Sequence, residues 1–411
     1  MRKKDVMELK KRLTKDKCSF TKMCGCYVNA DKEIVVKIKE TFLNLEDEEF
    51  FKYLEIAKKV LSGTVGNNIL ELSFPEENGV LSQKQQSFIA LKSSELKNDA
   101  LLDNLYDMII DSYKYTGNYL ILLFHDAYDV ITKTKDNIKI DESEEVYEYV
   151  LCALCPVSLS EPGLSYIQDD NRFGTRARDW VVEMPTIGFV YPAFSDRSSD
   201  IHTLMYYTKN PKDSHPEFME EGLGCYSRQT ATEQKEAFHS IVCSAIPDEK
   251  ESNDLFLEIQ DSLNSVIEEH NAVSDINAEP IILTNNVISE ILTDSGISEE
   301  VSQKIQDSYN NEFSSELPIA DHLLDTKSLK ANIQRKKEKR LENQITKLET
   351  ELEKTKKEFE EKEMQDDKYD VILNVNPEKV SQIKSDTIDG QKCIIIPLND
   401  DEQAMVNGID I

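Results

Sequence analysis

GNYLILLFH, residues 117–125, decides the fold. Its centre, Tyr119–Phe124, is the longest unbroken apolar run in the chain. A run that short falls far below the ~20 residues of a bilayer span. Without alternation, Tyr119–His125 reads as a β-strand covered on both faces. A second apolar stretch, Val146–Val157 (VYEYVLCALCPV), reads as a neighbouring strand, with Asp136–Ile140 in the connection. A sheet with both faces covered needs helices, and the flanking sequence supplies them.

Upstream, Met23–Val28 reads as a strand, and Ile34–Leu43 and Asp47–Leu61 read as helices. The second of these carries Phe50, Phe51, Leu54, Ile56, Ala57, Val60 and Leu61 on a wide apolar face and stops near Gly63. Residues 3–15 form a basic helix with Val6, Leu9 and Leu13 on one stripe. Phe88–Leu91 and Asp99–Tyr115 are helical, the latter with Leu102, Leu105, Ile109 and Tyr113 at helical spacing. Downstream, Gly188–Phe194 and Ile201–Tyr207 read as strands joined by the loop Ser195–Asp200, rich in Asp and Ser. Thr232–Ser244 is an amphipathic helix with an imperfect capping box from Thr232 to Lys235. Residues 1–245 therefore read as a mixed α/β domain.

The composition then changes. Residues 246–326 hold nineteen Asp/Glu against two Lys. Three helices are legible there, marked by Leu255, Ile259, Leu263 and Val266, by Val287, Ile288, Ile291 and Leu292, and by Ile297, Val301, Ile305 and Tyr309. The last two resemble a helix-turn-helix, but Glu299, Glu300 and Asp307 would repel DNA phosphates, so a packed helical hairpin is expected. Residues 327–366 form a charged helix. Leu341, Ile345, Leu348, Leu352, Thr355 and Phe359 alternate by four and three, the a/d spacing of a coiled coil, over about two and a half heptads. That stripe implies a helical hairpin or a homodimer seam, and gives an alternative reading of the chain as a protein–protein adaptor that uses this segment. The tail, 367–411, reads as β. Val371–Val375 is apolar, and Ile383–Ile388, Asp389-Gly390 and Lys392–Pro397 form a hairpin on a type I′ turn. The fold class is thus α+β, with an acidic helical segment, a coiled-coil-like helix and a small C-terminal sheet.

Charge narrows the function. The 411 residues carry a net charge of −30, with 39% hydrophobic and 31% charged residues, as in a soluble globular protein. Two segments run against that total. Residues 1–17 hold eight Lys/Arg against three Asp/Glu, and residues 327–340 hold seven against one. Local cationic handles on an anionic molecule indicate binding more than catalysis. The expected partners are nucleic acid or an acidic protein surface. Arg335, Lys336, Lys337, Lys339 and Arg340 are the leading contacts, and Arg176, Arg178 and Arg197 the second set. The basic start is not followed by an apolar signal-type stretch, so the chain reads as cytoplasmic, with its eight cysteines as thiols.

The catalytic alternatives are thin. Trp180, Asp196, Asp200 and His202 join the arginines in one polar stretch, which gives a rival reading as a hydrolase of phosphate-containing substrates. Asp200 and His202 share a strand face by spacing, yet two ligands do not make a metal site. His125-Asp126 reads as a strand-end polar pair. Cys24-Gly-Cys26 and Cys152-Ala-Leu-Cys155 read as buried thiols, because cysteine in an apolar run behaves as a small hydrophobe. Gly63-Thr64-Val65-Gly66 lacks the lysine of a phosphate cradle, and neither a dinucleotide fingerprint nor a nucleophile elbow is present, so no cofactor is expected.

Several stretches carry a family resemblance. CSFTKMCGCYVNADKE (18–33), VYEYVLCALCPVSLSEPGLSY (146–166), RDWVVEMPTIGFVYPAFSDRSSDIHTLMYYTKNP (178–211), EQKEAF (233–238), VNPEKV (375–380) and IDGQKCIIIP (388–397) resemble an uncharacterised bacterial family, domain of unknown function 4317. That resemblance implies no activity. The order of GNYLILLFH (117–125), EYVLCAL (148–154), an acidic helical segment, and the tail stretches VILNVNPEKV (371–380) and DTIDGQKCIII (386–396) is also similar to large bacterial nucleoid-associated proteins. This second resemblance implies a cytoplasmic, DNA-associated dimer.

Overall fold

The computed structural model describes residues 2–76, 79–133, 139–273, 280–366, 370–371, 373–400, 402–406 and 409–410. It divides into two compact units, Met1–Asn332 and Ile333–Ile411. In chain order the first unit holds α1 (Lys3–Arg12), β1 (Lys22–Val28), β2 (Ile34–Thr41), α2 (Asp47–Val60), β3 (Ile69–Ser73), α3 (Gln83–Ser93), α4 (Asp99–Ser112), β4 (Asn118–Lys133) and β5 (Lys139–Leu159). There follow β6 (Leu164–Ile167), β7 (Arg172–Thr175), β8 (Trp180–Val182), β9 (Ile187–Tyr191), β10 (Ala193–Ser195), β11 (Ser198–Asp200) and β12 (Thr203–Thr208). Helices α5 (Ala231–Ser244), α6 (Glu249–Val273), α7 (Asn285–Asp294), α8 (Glu299–Glu312) and α9 (Ala320–Leu323) complete it. Helix α10 (Thr326–Asp366) begins in the first unit and continues into the second, which also carries the hairpin β13 (Lys384–Ile388) and β14 (Gln391–Ile395).

The main sheet is antiparallel, in the order β2-β1-β4-β5-β9-β12-β3, with β8 added to the far end of β5. Its centre is the expected strand pair, in a register that sets Tyr119 opposite Pro156 and Phe124 opposite Leu151. Period-two alternation divides these strands between two cores. Ile121, Leu123, Cys152 and Leu154 face one core, which is closed by Phe88 and Leu91 of α3 and by Leu102, Leu105, Tyr106 and Ile109 of α4. Leu120, Leu122, Phe124, Leu151, Ala153 and Cys155 face the other, closed by Val6 and Leu9 of α1 and by Phe50, Leu54, Ala57 and Val60 of α2. A continuous apolar strand is therefore what this position requires. Helix α2 approaches β9 so closely that a Cβ on Gly188 would lie 2.7 Å from both the Cys152 carbonyl oxygen and a Val60 methyl.

Helices α5 to α9 share a third core of Phe238, Val242, Phe256, Ile259, Leu263, Ile288, Ile291, Leu292, Ile305 and Tyr309. Helix α5, inside the 1–245 segment, thus packs with the acidic helices. Gly296, at φ +70°, turns the chain between α7 and α8. In the second unit, Asp389 (φ 51°) and Gly390 (φ 89°) make the I′ turn of the β13–β14 hairpin.

Five local readings change. Ile34–Leu43 is a strand up to Thr41, followed by a 3₁₀ turn, Phe42–Asn44. Its run of β-branched residues pairs with β1 across a short turn at Asn29, whose side chain accepts from the amides of Asp31 and Glu33. The Ser195–Asp200 loop is itself the β10–β11 hairpin, turned by Asp196 and Arg197, both at positive φ. The cap of α5 is Thr230, which accepts from the Glu233 amide while Glu233 accepts from the Thr230 amide, a complete capping box two residues earlier than expected. Residues 373–375 are irregular, and 372 lies outside the described residues. The connection read at Asp136–Ile140 is part of β5 from Lys139, and 136–138 lie outside the described residues.

Candidate interaction surfaces

The polar stretch 172–202, continuous in sequence, is divided in space. Leu159 of β5 pairs with Trp180 and Val157 with Val182, whereas Val150 pairs with Tyr191, next to β10. Seven residues of strand, about 23 Å at ~3.3 Å per residue, separate the two levels. Arg172, Arg176, Arg178 and Trp180 thus belong to one end of β5, and Asp196, Arg197, Asp200 and His202 to the other.

At the first end, Arg172 Nε donates to Asp170 at 3.1 Å, and Arg178 Nε donates to the Ser160 carbonyl at 2.7 Å. Arg176 and Trp180 are exposed, with Leu164, Tyr166 and Phe173 of the β6–β7 hairpin also facing solvent. At the second end, α1 holds the β10–β11 turn. Arg2 pairs with Asp196 at 3.1 Å, and Arg197 pairs with Glu8 at 3.2 Å. Asp200 accepts from the His202 amide at 3.0 Å and from the Thr203 hydroxyl at 2.9 Å, while the His202 ring lies 3.7 Å from Glu76. Asp200 therefore serves as a local cap, and the His202 imidazole turns to a different carboxylate. Among the described residues, no three His, Cys, Asp or Glu side chains gather as a metal would need.

His125 and Asp126, expected as a strand-end polar pair, lie within β4 and centre two buried polar clusters. Asp126 is buried in β4, accepts from the Tyr149 hydroxyl at 2.8 Å and lies 3.9 Å from the Arg12 guanidinium, which covers the Tyr128 ring. His125, also buried, lies 2.9 Å from the Thr21 hydroxyl through Nδ1 and 3.0 Å from Glu148 through Nε2, and Lys92 stands 3.4 Å from Glu148. A hydroxyl, an imidazole and a carboxylate in line have the order of a nucleophilic triad. Here Thr21 immediately precedes β1, His125 lies in β4 and Glu148 in β5, and Lys92 joins them from α3, so the contacts link these parts of the sheet and its helix. Four cavities of about 190–450 Å³ open elsewhere, none lined by Thr21, His125 or Glu148. The largest of these four is polar, and its carboxylates are engaged: Glu233 caps α5, Glu236 pairs with Lys212, Glu312 accepts from Gln229, and Glu316 takes Arg228 Nε at 2.7 Å. The signal for His125-Asp126 was two adjacent polar residues in a run that keeps alternating through Tyr128 and Val130; strand and burial continue past them.

The cysteines are free thiols. Burial pushes Cys26, Cys155 and Cys225 up to about 12, which leaves them protonated and unreactive.

The leading cationic run lies on α10. Lys336, Lys337, Lys339 and Arg340 are exposed, and Arg335 is half-buried. At 100° per residue, Lys336, Lys339 and Arg340 fall within an arc of about 100°. Leu341, Ile345, Leu348 and Leu352 fall within about 60° on the far side of the same helix.

These features define a mixed α+β protein: an antiparallel sheet between helical layers, a helical cluster and a long charged helix. The chain belongs to the family described as Domain of unknown function (DUF4317), whose model matches residues 1–409. Among curated proteins, none matches at a significant level. Among the described residues, no helix is long and apolar enough to cross a membrane.

Proposed function

We propose that the chain is a cytoplasmic, non-enzymatic binding or scaffold protein that engages nucleic acid through the basic run of α10. The observation that carries the reading is the exposed arc of Lys336, Lys339 and Arg340, flanked by Lys337, in a molecule of net charge −30. Against so anionic a background, only a concentrated cationic face lets a phosphate backbone approach. Arg197 is withdrawn from the second set of candidates by its pairing with Glu8, and Arg178 is tied to backbone carbonyls. Arg176 remains as an accessory contact. The separate engagements of Asp200 and His202 weigh against the hydrolase reading.

The test is an anisotropy titration of single- and double-stranded oligonucleotides over a range of salt. The native chain binds at low salt and releases as salt rises. Replacing Lys336, Lys337, Lys339 and Arg340 by Gln weakens binding and flattens the slope of log K against log salt by about 0.9 per contact removed on the duplex and about 0.7 on the single strand. No binding at low salt, or unchanged affinity and slope in the variant, overturns the reading.

A further inference from the structure

The apolar stripe of α10 has no cover in the described chain. Leu341, Ile345, Leu348 and Leu352 are 49%, 55%, 62% and 57% exposed. Their spacing assigns Leu341 and Leu348 to d, and Ile345 and Leu352 to a. Four large aliphatic side chains in one seam lose their transfer free energy as long as the seam faces water.

We propose that the cover is a second copy of this chain, packed parallel and in register along 341–356, the seam opening at Glu338, which at the preceding a position would meet its own copy. Three observations choose that occupant. First, Ile345 at a between Leu341 and Leu348 at d is the combination that favours a parallel two-stranded coil. Second, the flanking charges fit. In a parallel pair each g residue meets the e residue five positions on in its partner. Lys337 then meets Glu342 and Glu351 meets Lys356, and the two-fold axis repeats both pairs. Gln344 meets Glu349 without repulsion. Third, the antiparallel alternative fails on the same residues. The register that keeps all four aliphatic residues paired sets Glu342 against Glu349 and Arg335 against Lys356, two like-charge pairs for one attractive pair. The outward positions of the coil are Lys336, Lys339 and Arg340, so the seam closes without covering the cationic arc. The dimer does not depend on nucleic-acid binding, and its test uses none.

The test is self-association of the full chain, followed by cross-linking. Sedimentation velocity shows a monomer–dimer equilibrium that Ile345→Asp shifts wholly to monomer, with the far-UV circular dichroism of the first unit's folded elements retained. Leu348→Cys, mildly oxidised, gives a covalent dimer well above the background of the native thiols, because a d residue meets its own copy only in the parallel register. A native chain still monomeric at roughly 100 µM overturns the proposal. So does a dimer unaffected by Ile345→Asp. A Leu348→Cys chain that stays uncrosslinked, while Ile345→Cys/Leu348→Cys crosslinks, reverses the orientation and overturns it equally.

Discussion

The β4–β5 pair and helix α10 are both long, and each carries a clear apolar pattern. The strands bury theirs. Leu122, Leu123, Cys152 and Leu154 have no solvent exposure, because helices close both faces of the sheet. The helix leaves its stripe in water. The pattern in a sequence states which side chains want cover; it does not state which chain provides it. Where the period is two and helices flank the run, the cover is internal. Where the period is three and four and the flanking residues are charged, the cover has to come from outside the segment.

Truncation separates the two regions most sharply. Leu154→Ala opens a cavity in a closed core and costs about 2–5 kcal/mol in urea unfolding. Leu348→Ala changes the unfolding of the first unit by less than about 0.5 kcal/mol, since no described neighbour collapses onto it. Equal costs for the two would break the contrast.

A smaller effect comes from pH. Burial holds the His322 imidazole below its ordinary value, and its Nδ1 lies 2.9 Å from Gln234 Oε1 of α5. The folded chain therefore binds this proton less readily than the unfolded chain. The stability that His322 supports is complete above the unfolded value of 6.5 and is lost as pH falls through the lower folded value. Thermal melts of the first unit should drop below about pH 6.5, and His322→Gln should drop less over the same range. A parallel decline in both chains would remove His322 as the cause.

How much of this was legible depended on range. Tyr119–Phe124 and the Asp389-Gly390 turn are local signals, and both read correctly. Strand β4 was read too short because Asp126 and Asp129 interrupt its apolar run, although Tyr128 and Val130 keep the alternation and are buried. Ile34–Leu43 is a strand up to Thr41 because its β-branched residues pair with β1, a partner that the segment's own sequence does not show. The candidate polar site was the least legible part. Arg197 meets Glu8 across 189 residues, and Arg178 meets carbonyls 18 and 19 residues away, pairings that no local pattern carries. Adjacent numbers from Arg172 to His202 suggested one site; the two levels of β5 to which they pair make it two.

The most direct test of the contrast is amide hydrogen exchange of the full chain at several protein concentrations. Protection of 119–124 and 150–155 should be high and independent of concentration, as in a core closed within one chain, while protection of 341–352 should be low in dilute solution and rise with concentration. Exchange in 341–352 that is slow at every concentration, or that never slows, would contradict the account.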